Sequence, residues 1–440
     1  MAYGQTRVAN SGDAKWGIYV YFAADVPDQD MQAAVWSTMR TLASVGSTDD
    51  LKITAMVDLP GRNTEYYILP QKPEKMTRWP IHSKLSLPNV DSASSKEILK
   101  FLEWSSQNCP AENIALVFWG HGYALDDYDP RLETQGGSAG QKEPRRSKER
   151  NADKFPGESG NELKLLYDDT HGSVLNNRAF AQAIGDYNEE FNGKKPIQVL
   201  GLDCCNMAMA EVLCELQDVA EYAVAAETGL PFQAWLSAPV LEKLLAANHE
   251  EAQQLAIGAV EDFIDSFSHS ADRYIELSAC NLSKFGQLEA AMKQLVNALL
   301  PAIEKYENRR AIFQAWDDDV NFVVDGMIDL SSFCRLLRKH IDPAEKEVTT
   351  AAAKVQIAVA EVVDRAKITP KFPGRRISLS RGLSIWFPPW IPHPGVLYDQ
   401  IEQSREYLSN GYSSTRFASK TEWDSFLRKL LYLTQDKPRS

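Results

Sequence analysis

"IQVLGLDCCNMAMAEVLCEL", residues 197–216, is the stretch whose reading decides the fold. An apolar run ends at Asp203, two adjacent cysteines follow, and apolar residues then return at helical spacing. A buried strand that leaves the core through polar residues into a helix predicts a mostly parallel sheet covered on both faces. In such sheets functional groups gather at the carboxyl ends of the strands. That end is where Asp203, Cys204 and Cys205 stand.

Outward from this stretch the same rhythm repeats. Near-continuous apolar runs predict strands over 16–24, 51–59, 113–120, 196–203 and 220–227. Amphipathic spacing predicts helices over 29–46, 94–108, 176–191 and 206–217, with Ser94 and Glu97 as a capping box for the second. From 234 to 366 the pattern is chiefly helical, interrupted by a strand-like 273–280. A late strand is expected at 382–389 and a closing helix at 422–433. These elements predict an α/β core over 1–232 and a mainly helical second half, 233–440, packed on it and giving its late strand to the core. Residues 123–162 break the rhythm: basic and acidic residues lie among glycines and prolines without apolar periodicity. A connection of that length is either functional or a solvated insertion.

Composition narrows the class. A formal net charge of −13 argues against a nucleic-acid or anionic-membrane partner. No apolar run approaches the ~18 residues that span a bilayer. The first apolar run begins at Trp16, includes Tyr19 and Tyr21 and ends at Asp25, so it reads as a strand and not as a signal-peptide core. The expected location is the cytoplasm. The six cysteines form no C-x-x-C pair, which argues against a structural zinc site and for reduced thiols.

A cysteine nucleophile needs thiolate character, a proton carrier and donors for an oxyanion. Cys205 directly precedes the expected helix at 206, whose amide N–H groups would favour an anion. His121 ends the strand at 113–120 and is followed by Gly122, where the backbone can turn sharply. Taken singly, a cysteine at a strand end is more often a small buried hydrophobe. The two at matching strand ends point to catalysis.

"FWGHG" (118–122) and "DCCNMAMAE" (203–211) resemble the two signatures of the clostripain-like cysteine peptidases of the caspase-like clan. The first strand and helix, the segment "LLYDDTHGSVLNNRAFAQAI" (165–184) and the late strand are similar too, so the resemblance runs from about residue 16 to 390. It implies a caspase/hemoglobinase-like fold and a cysteine endopeptidase with a Cys-His dyad. Cys205 would be the nucleophile, Cys204 a spacer facing the other way, and His121 the general acid/base. The N–H groups of Gly122 and Cys205 would serve the oxyanion. Asp203 would line the pocket for the side chain before the scissile bond and select arginine or lysine; its alternative role is an N-cap. Where the family often carries a second acid, this chain has "ETGLPFQAW" (227–235), leaving Glu227 as the nearby acid for substrate binding.

The resemblance also gives the long loop a role. Family members are commonly made as proenzymes, and Arg145, Arg146, Lys148 and Arg150 in the segment 141–154 are candidate processing sites, for this enzyme or an upstream protease. No cofactor is required by this chemistry. Calcium is a candidate, with Asp126, Asp127, Asp129, Asp168 and Asp169 as oxygen donors, and no metal ligand is assigned. The expected partners are peptides or proteins with a basic residue before the scissile bond. Two rival readings are a catalytically inactive caspase-like scaffold and a cysteine hydrolase of small amides.

Overall fold

The computed structural model describes residues 13–70, 83–124, 164–246, 251–269, 274–319, 326–369, 380–388, 408 and 411–435. Its strands are β1 (Ala14–Ala23), β2 (Leu51–Asp58), β3 (Thr64–Ile68), β4 (Ser83–Leu87), β5 (Ala111–Trp119), β6 (Gly122–Ala124) and β7 (Lys164–Asp168). They continue as β8 (Ser173–Asn176), β9 (Ile197–Asp203), β10 (Ala220–Ala225), β11 (Glu276–Asn281), β12 (Met327–Asp329), β13 (Val363–Ile368) and β14 (Ser384–Trp386). Nine of them form one sheet in the order β13-β11-β10-β9-β5-β1-β2-β3-β4.

The five central strands, β2, β1, β5, β9 and β10, run parallel. Antiparallel strands close the sheet on both sides. The parallel centre is the part whose strands read as unbroken apolar runs, because both of its faces are covered. Tyr19, Tyr21 and Phe22 of β1 are fully buried, and so are Ile197, Val199, Leu200 and Leu202 of β9.

Seven helices build most of that cover: α1 (Gln29–Val45), α2 (Ser95–Asn108), α3 (Asn177–Glu190), α4 (Ala210–Leu216), α5 (Ala238–Ala246), α6 (Ala252–Ser266) and α7 (Phe285–Ala302). On one face Val35 and Leu42 of α1, Val240 of α5 and Phe263 of α6 join the core. On the other, Phe101 of α2, Phe180 of α3, Leu213 of α4 and Leu288 of α7 do so. The start of α1 is fixed by Asp28, whose Oδ1 accepts from the N–H groups of Asp30 (2.8 Å) and Met31 (3.0 Å). The capping box expected at α2 does not form. Ser94 makes no side-chain cap bond, and Glu97 pairs instead with Lys100 at 2.6 Å.

Two further elements depart from expectation. The late strand is short and stays out of the main sheet, whose edges are already occupied by β13 and β4. It pairs antiparallel with β12 and reaches the core through Ser384, whose N–H donates to the Ala208 carbonyl at 2.9 Å. The second half nonetheless completes the sheet, through β11 and β13. Strands were also not expected at β6, β7 and β8, which flank the irregular span of 123–162 and form a small antiparallel sheet.

Candidate active site

The parallel register aligns the carboxyl ends of β5 and β9, with Trp119 opposite Asp203. Past these ends the two chains remain side by side, and the Gly120 N–H donates to the Asp203 carbonyl at 3.4 Å. The approach is closest at Gly122. A Cβ there would overlap the Cys205 carbonyl oxygen and lie 2.9 Å from the Cys205 nitrogen and 3.0 Å from Cβ of Cys204. Only glycine lets the backbone of His121–Gly122 lie flat against Cys204–Cys205. The His121 carbonyl is held in turn by the N–H of Leu166, at 2.9 Å.

The two thiols face different surroundings. Cys204 is buried on the face of α2, α3 and α4, with Sγ 3.7 Å from the Phe118 carbonyl, and burial pushes its thiol well above the usual range. Cys205 is the one cysteine of the six that is not buried, and all six are free. Desolvation raises its thiol as well, but the Leu230 N–H donates to Sγ at 3.3 Å and pulls in the opposite direction. That donor belongs to the loop after β10 and left no signal in the sequence.

The helix start expected behind Cys205 is absent. Asn206 adopts a left-handed conformation (φ 62°), a turn that asparagine tolerates better than most residues. The N–H groups of Asn206 and Ala208 then bond the carbonyls of Thr228 (3.1 Å) and Ala226 (2.8 Å). Residues 204–209 therefore form an arm laid on the 226–228 segment, and α4 begins only at Ala210. Pairing with that segment claims the N–H groups a helix would have freed. At the far end of the arm Glu211 is fully buried, and its Oε1 accepts from the Tyr412 hydroxyl (2.6 Å) and the Trp386 N–H (3.1 Å).

Asp203 is buried, 4% exposed, and its Oδ2 accepts from the Trp235 N–H at 3.2 Å. Oδ1 has no hydrogen-bond partner. Burial pushes this carboxyl up to about 8 against the opposing pull of the Trp235 N–H. It is no N-cap: Met209 caps α4, without a side-chain bond. Trp235 itself lies over Gly201, where a Cβ would collide with its indole ring.

Glu227 does not fit the substrate-binding role expected of it. Its side chain is fully buried, and Oε2 accepts from the Ser380 hydroxyl and the Gly382 N–H (3.1 Å). Its own N–H donates to Glu276 Oε2 at 2.7 Å. The acid is spent on tying the start of the 227–235 loop to residues 380–382. The processing candidates Arg145, Arg146, Lys148 and Arg150, and the acids Asp126, Asp127 and Asp129, lie outside the described residues. Asp168 is fully buried and Asp169 exposed.

Residues 163–430 match the model of the clostripain family, peptidase C11. The chain belongs to the clostripain family. It is similar in fold to a secreted C11 cysteine protease from Bacteroides thetaiotaomicron solved with an irreversible peptide inhibitor, at 14% identity and a TM-score of 0.62 over 94% of this chain and 100% of that one. A similar likeness holds to an inactive zymogen C11 protease from Parabacteroides distasonis, at 14% identity and a TM-score of 0.61 over 94% of this chain and 99% of that one. No curated protein sequence gives a significant match. The family is one of cysteine peptidases, and the caspase-like sheet expected from the sequence is the fold observed.

Proposed function

We propose that the chain is a cysteine endopeptidase with His121 and Cys205 as its dyad, cleaving after arginine or lysine. One observation carries this reading: at the carboxyl end of the parallel sheet, the one unburied thiol stands on a backbone that Gly122 brings against the His121 segment. In the reaction His121 takes the proton of Cys205, and Sγ attacks the scissile carbonyl carbon. The N–H groups of Gly122 and Cys205 receive the oxyanion. The tetrahedral species collapses as the amine leaves with the proton from His121. Water, deprotonated by His121, then hydrolyses the thioester and restores the thiol.

Asp203 supplies the specificity. A buried carboxyl with one oxygen already bonded and the other open is poised to lose its proton to solvent when a guanidinium or ammonium arrives. Cleavage within 141–154, after Arg145, Arg146, Lys148 or Arg150, would activate the enzyme. It would separate β5 from β9 in the chain but not in the sheet, whose ladder holds both fragments. Replacing the basic residues of 142–154 by alanine should then leave a folded, uncut chain with little activity. Full activity of that uncut variant would discard the proenzyme reading.

The test of the whole proposal is an arginine- or lysine-directed covalent inhibitor followed by mass spectrometry of the labelled peptide. The label is expected on Cys205. Absence of label on a folded, processed protein would favour the inactive scaffold.

A further inference from the structure

The loop that leaves β10, residues 226–237, is fastened at both ends and open in the middle. At its start Glu227 is turned away to Ser380 and Gly382. At its end the Trp235 N–H holds Asp203 Oδ2 at 3.2 Å. Between these anchors the loop crosses the thiol. The Leu230 N–H donates to Cys205 Sγ at 3.3 Å, and a Cβ on Gly229 would lie 3.9 Å from the same sulfur. Two residues beyond Leu230 comes Phe232, 37% exposed. Four large apolar side chains are exposed among the described residues, and the other three, Tyr306, Ile357 and Tyr432, lie on helices of the second half. Of the four, Phe232 is the one beside the site.

Phe232 rests on Trp119, with ring centroids 6.5 Å apart and planes tilted by 56°. Trp119 is in turn the register partner of Asp203. Partners on adjacent parallel strands turn their side chains to the same face. The Asp203 carboxyl, the Trp119 indole and the Phe232 ring are therefore successive neighbours at the end of the sheet, with Cys205 two residues past Asp203. Asp203 keeps one oxygen, Oδ1, without a partner. Glu227, the one acid in 227–235, faces elsewhere, so this loop brings aromatic surface to that oxygen and no second carboxylate.

We infer that Phe232 is the specificity wall of the Asp203 pocket and makes the enzyme favour arginine over lysine. The inference rests on the basic-residue pocket proposed above and deepens it. Two properties of the cations decide the preference. A guanidinium is planar and weakly hydrated, so it stacks on an aromatic ring while its edge donates to a carboxylate. An ammonium is compact and strongly hydrated, and it carries three donors that need acceptors. A pocket of one open oxygen and an aromatic face compensates the first for its lost water and leaves the second short. Bound arginine would also cover the ring that stands exposed in the free chain.

The experiment measures kcat/KM on three fluorogenic peptides that differ only before the scissile bond, where they carry arginine, lysine or norleucine. The proteins are the folded, processed parent and its Phe232→Leu, Phe232→Ala and Phe232→Tyr variants, each checked for folding by Tm. The parent is expected to favour the arginine peptide over the lysine peptide by roughly 5- to 20-fold, within reach of one cation–π contact. Phe232→Leu, which keeps apolar bulk without a π face, and Phe232→Ala should bring that ratio to about 1–2. Phe232→Tyr should restore it. A structural role alone would lower all three peptides together and leave the ratio unmoved. A parent ratio near 1, a preference for lysine, or an unchanged ratio in both Phe232→Leu and Phe232→Ala would overturn the inference while the basic peptides still outpace norleucine. If norleucine is cut as well as the basic peptides, or if no peptide is cut, the pocket reading itself fails and the wall falls with it.

Discussion

The histidine side and the cysteine side of the site each rest on a buried group of acids, and the two groups join different segments of the chain. Behind the cysteine loop, Glu227, Glu276 and Asp329 are fully buried. Ser380 and the Gly382 N–H bond Glu227, Ser278 and the Glu227 N–H bond Glu276, and the N–H groups of Ser332 (2.6 Å) and Arg381 (2.6 Å) bond Asp329. Burial holds all three in the protonated direction. Behind the histidine, Asp25 and Asp58 each keep an open buried oxygen. Glu227 Oε1 is likewise without a hydrogen-bond partner, so the two groups differ in the segments they join: the first ties the start of the 227–235 loop to Glu276 and residues 380–382, and the second joins the ends of β1, β2 and β7.

The sharpest break in this comparison is at the two groups of the proposed dyad. Cys205→Ala and His121→Ala should each reduce peptide cleavage by ~1,000-fold or more, without adding when combined, because they act as a unit. Cys204→Ala should keep most of the activity, since that thiol points into the core. Equal loss in folded Cys204→Ala and Cys205→Ala proteins, assayed on one fluorogenic peptide, would undo the assignment.

Next in size is the acid beside the thiols. Asp203→Asn should lower kcat/KM for arginine and lysine substrates by roughly 10- to 1,000-fold, the loss of a buried charge pair. It should change little for a substrate with an apolar residue before the scissile bond. A peptide library in which the wild-type enzyme prefers acidic residues there would contradict the pocket.

The seam between the two sides is tested by Gly122→Ala. Its Cβ would meet the Cys205 backbone, which cannot swing away as a flexible side chain could. Displacing either group by about 1 Å should cost about 100-fold in kcat with a small change in Tm. Wild-type kinetics in this variant would mean that the two segments do not need their close apposition.

The smallest effect concerns pH and belongs to the cysteine side. Burial raises Glu211 from 4.5 to about 7. The folded chain therefore holds this proton more tightly than the unfolded chain does. The resulting stability is fully present below pH ~4.5 and is lost as pH rises toward 7, roughly 3 kcal/mol in all. Glu211→Gln keeps an oxygen for Tyr412 and Trp386 but cannot titrate. In chelator, its unfolding free energy should fall less steeply between pH 5 and 7.5 than the parent's. Parallel slopes for the two proteins would show that Glu211 is not protonated in the fold.

How much of this was written in the sequence depends on the range of the interaction. Buried parallel strands announce themselves because both faces must be apolar, so β1, β2, β5, β9 and β10 were legible as unbroken runs, and with them the strand ends that carry His121 and Cys205. The His-Gly and Asp-x-Cys signatures then gave the family. Hidden from the sequence was everything set by partners far along the chain. Whether helix follows Cys205 was decided by the carbonyls of Ala226 and Thr228, which claim the arm's N–H groups. Whether Glu227 faces substrate was decided by Ser380 and Gly382, more than 150 residues away. Whether Asp25 and Asp58 meet Asp168 was decided by the hairpin that docks on the ends of β1 and β2. Periodicity encodes burial, which is local to a strand or helix. The partner of a buried polar group is encoded nowhere near it, because only the folded sheet brings the two together.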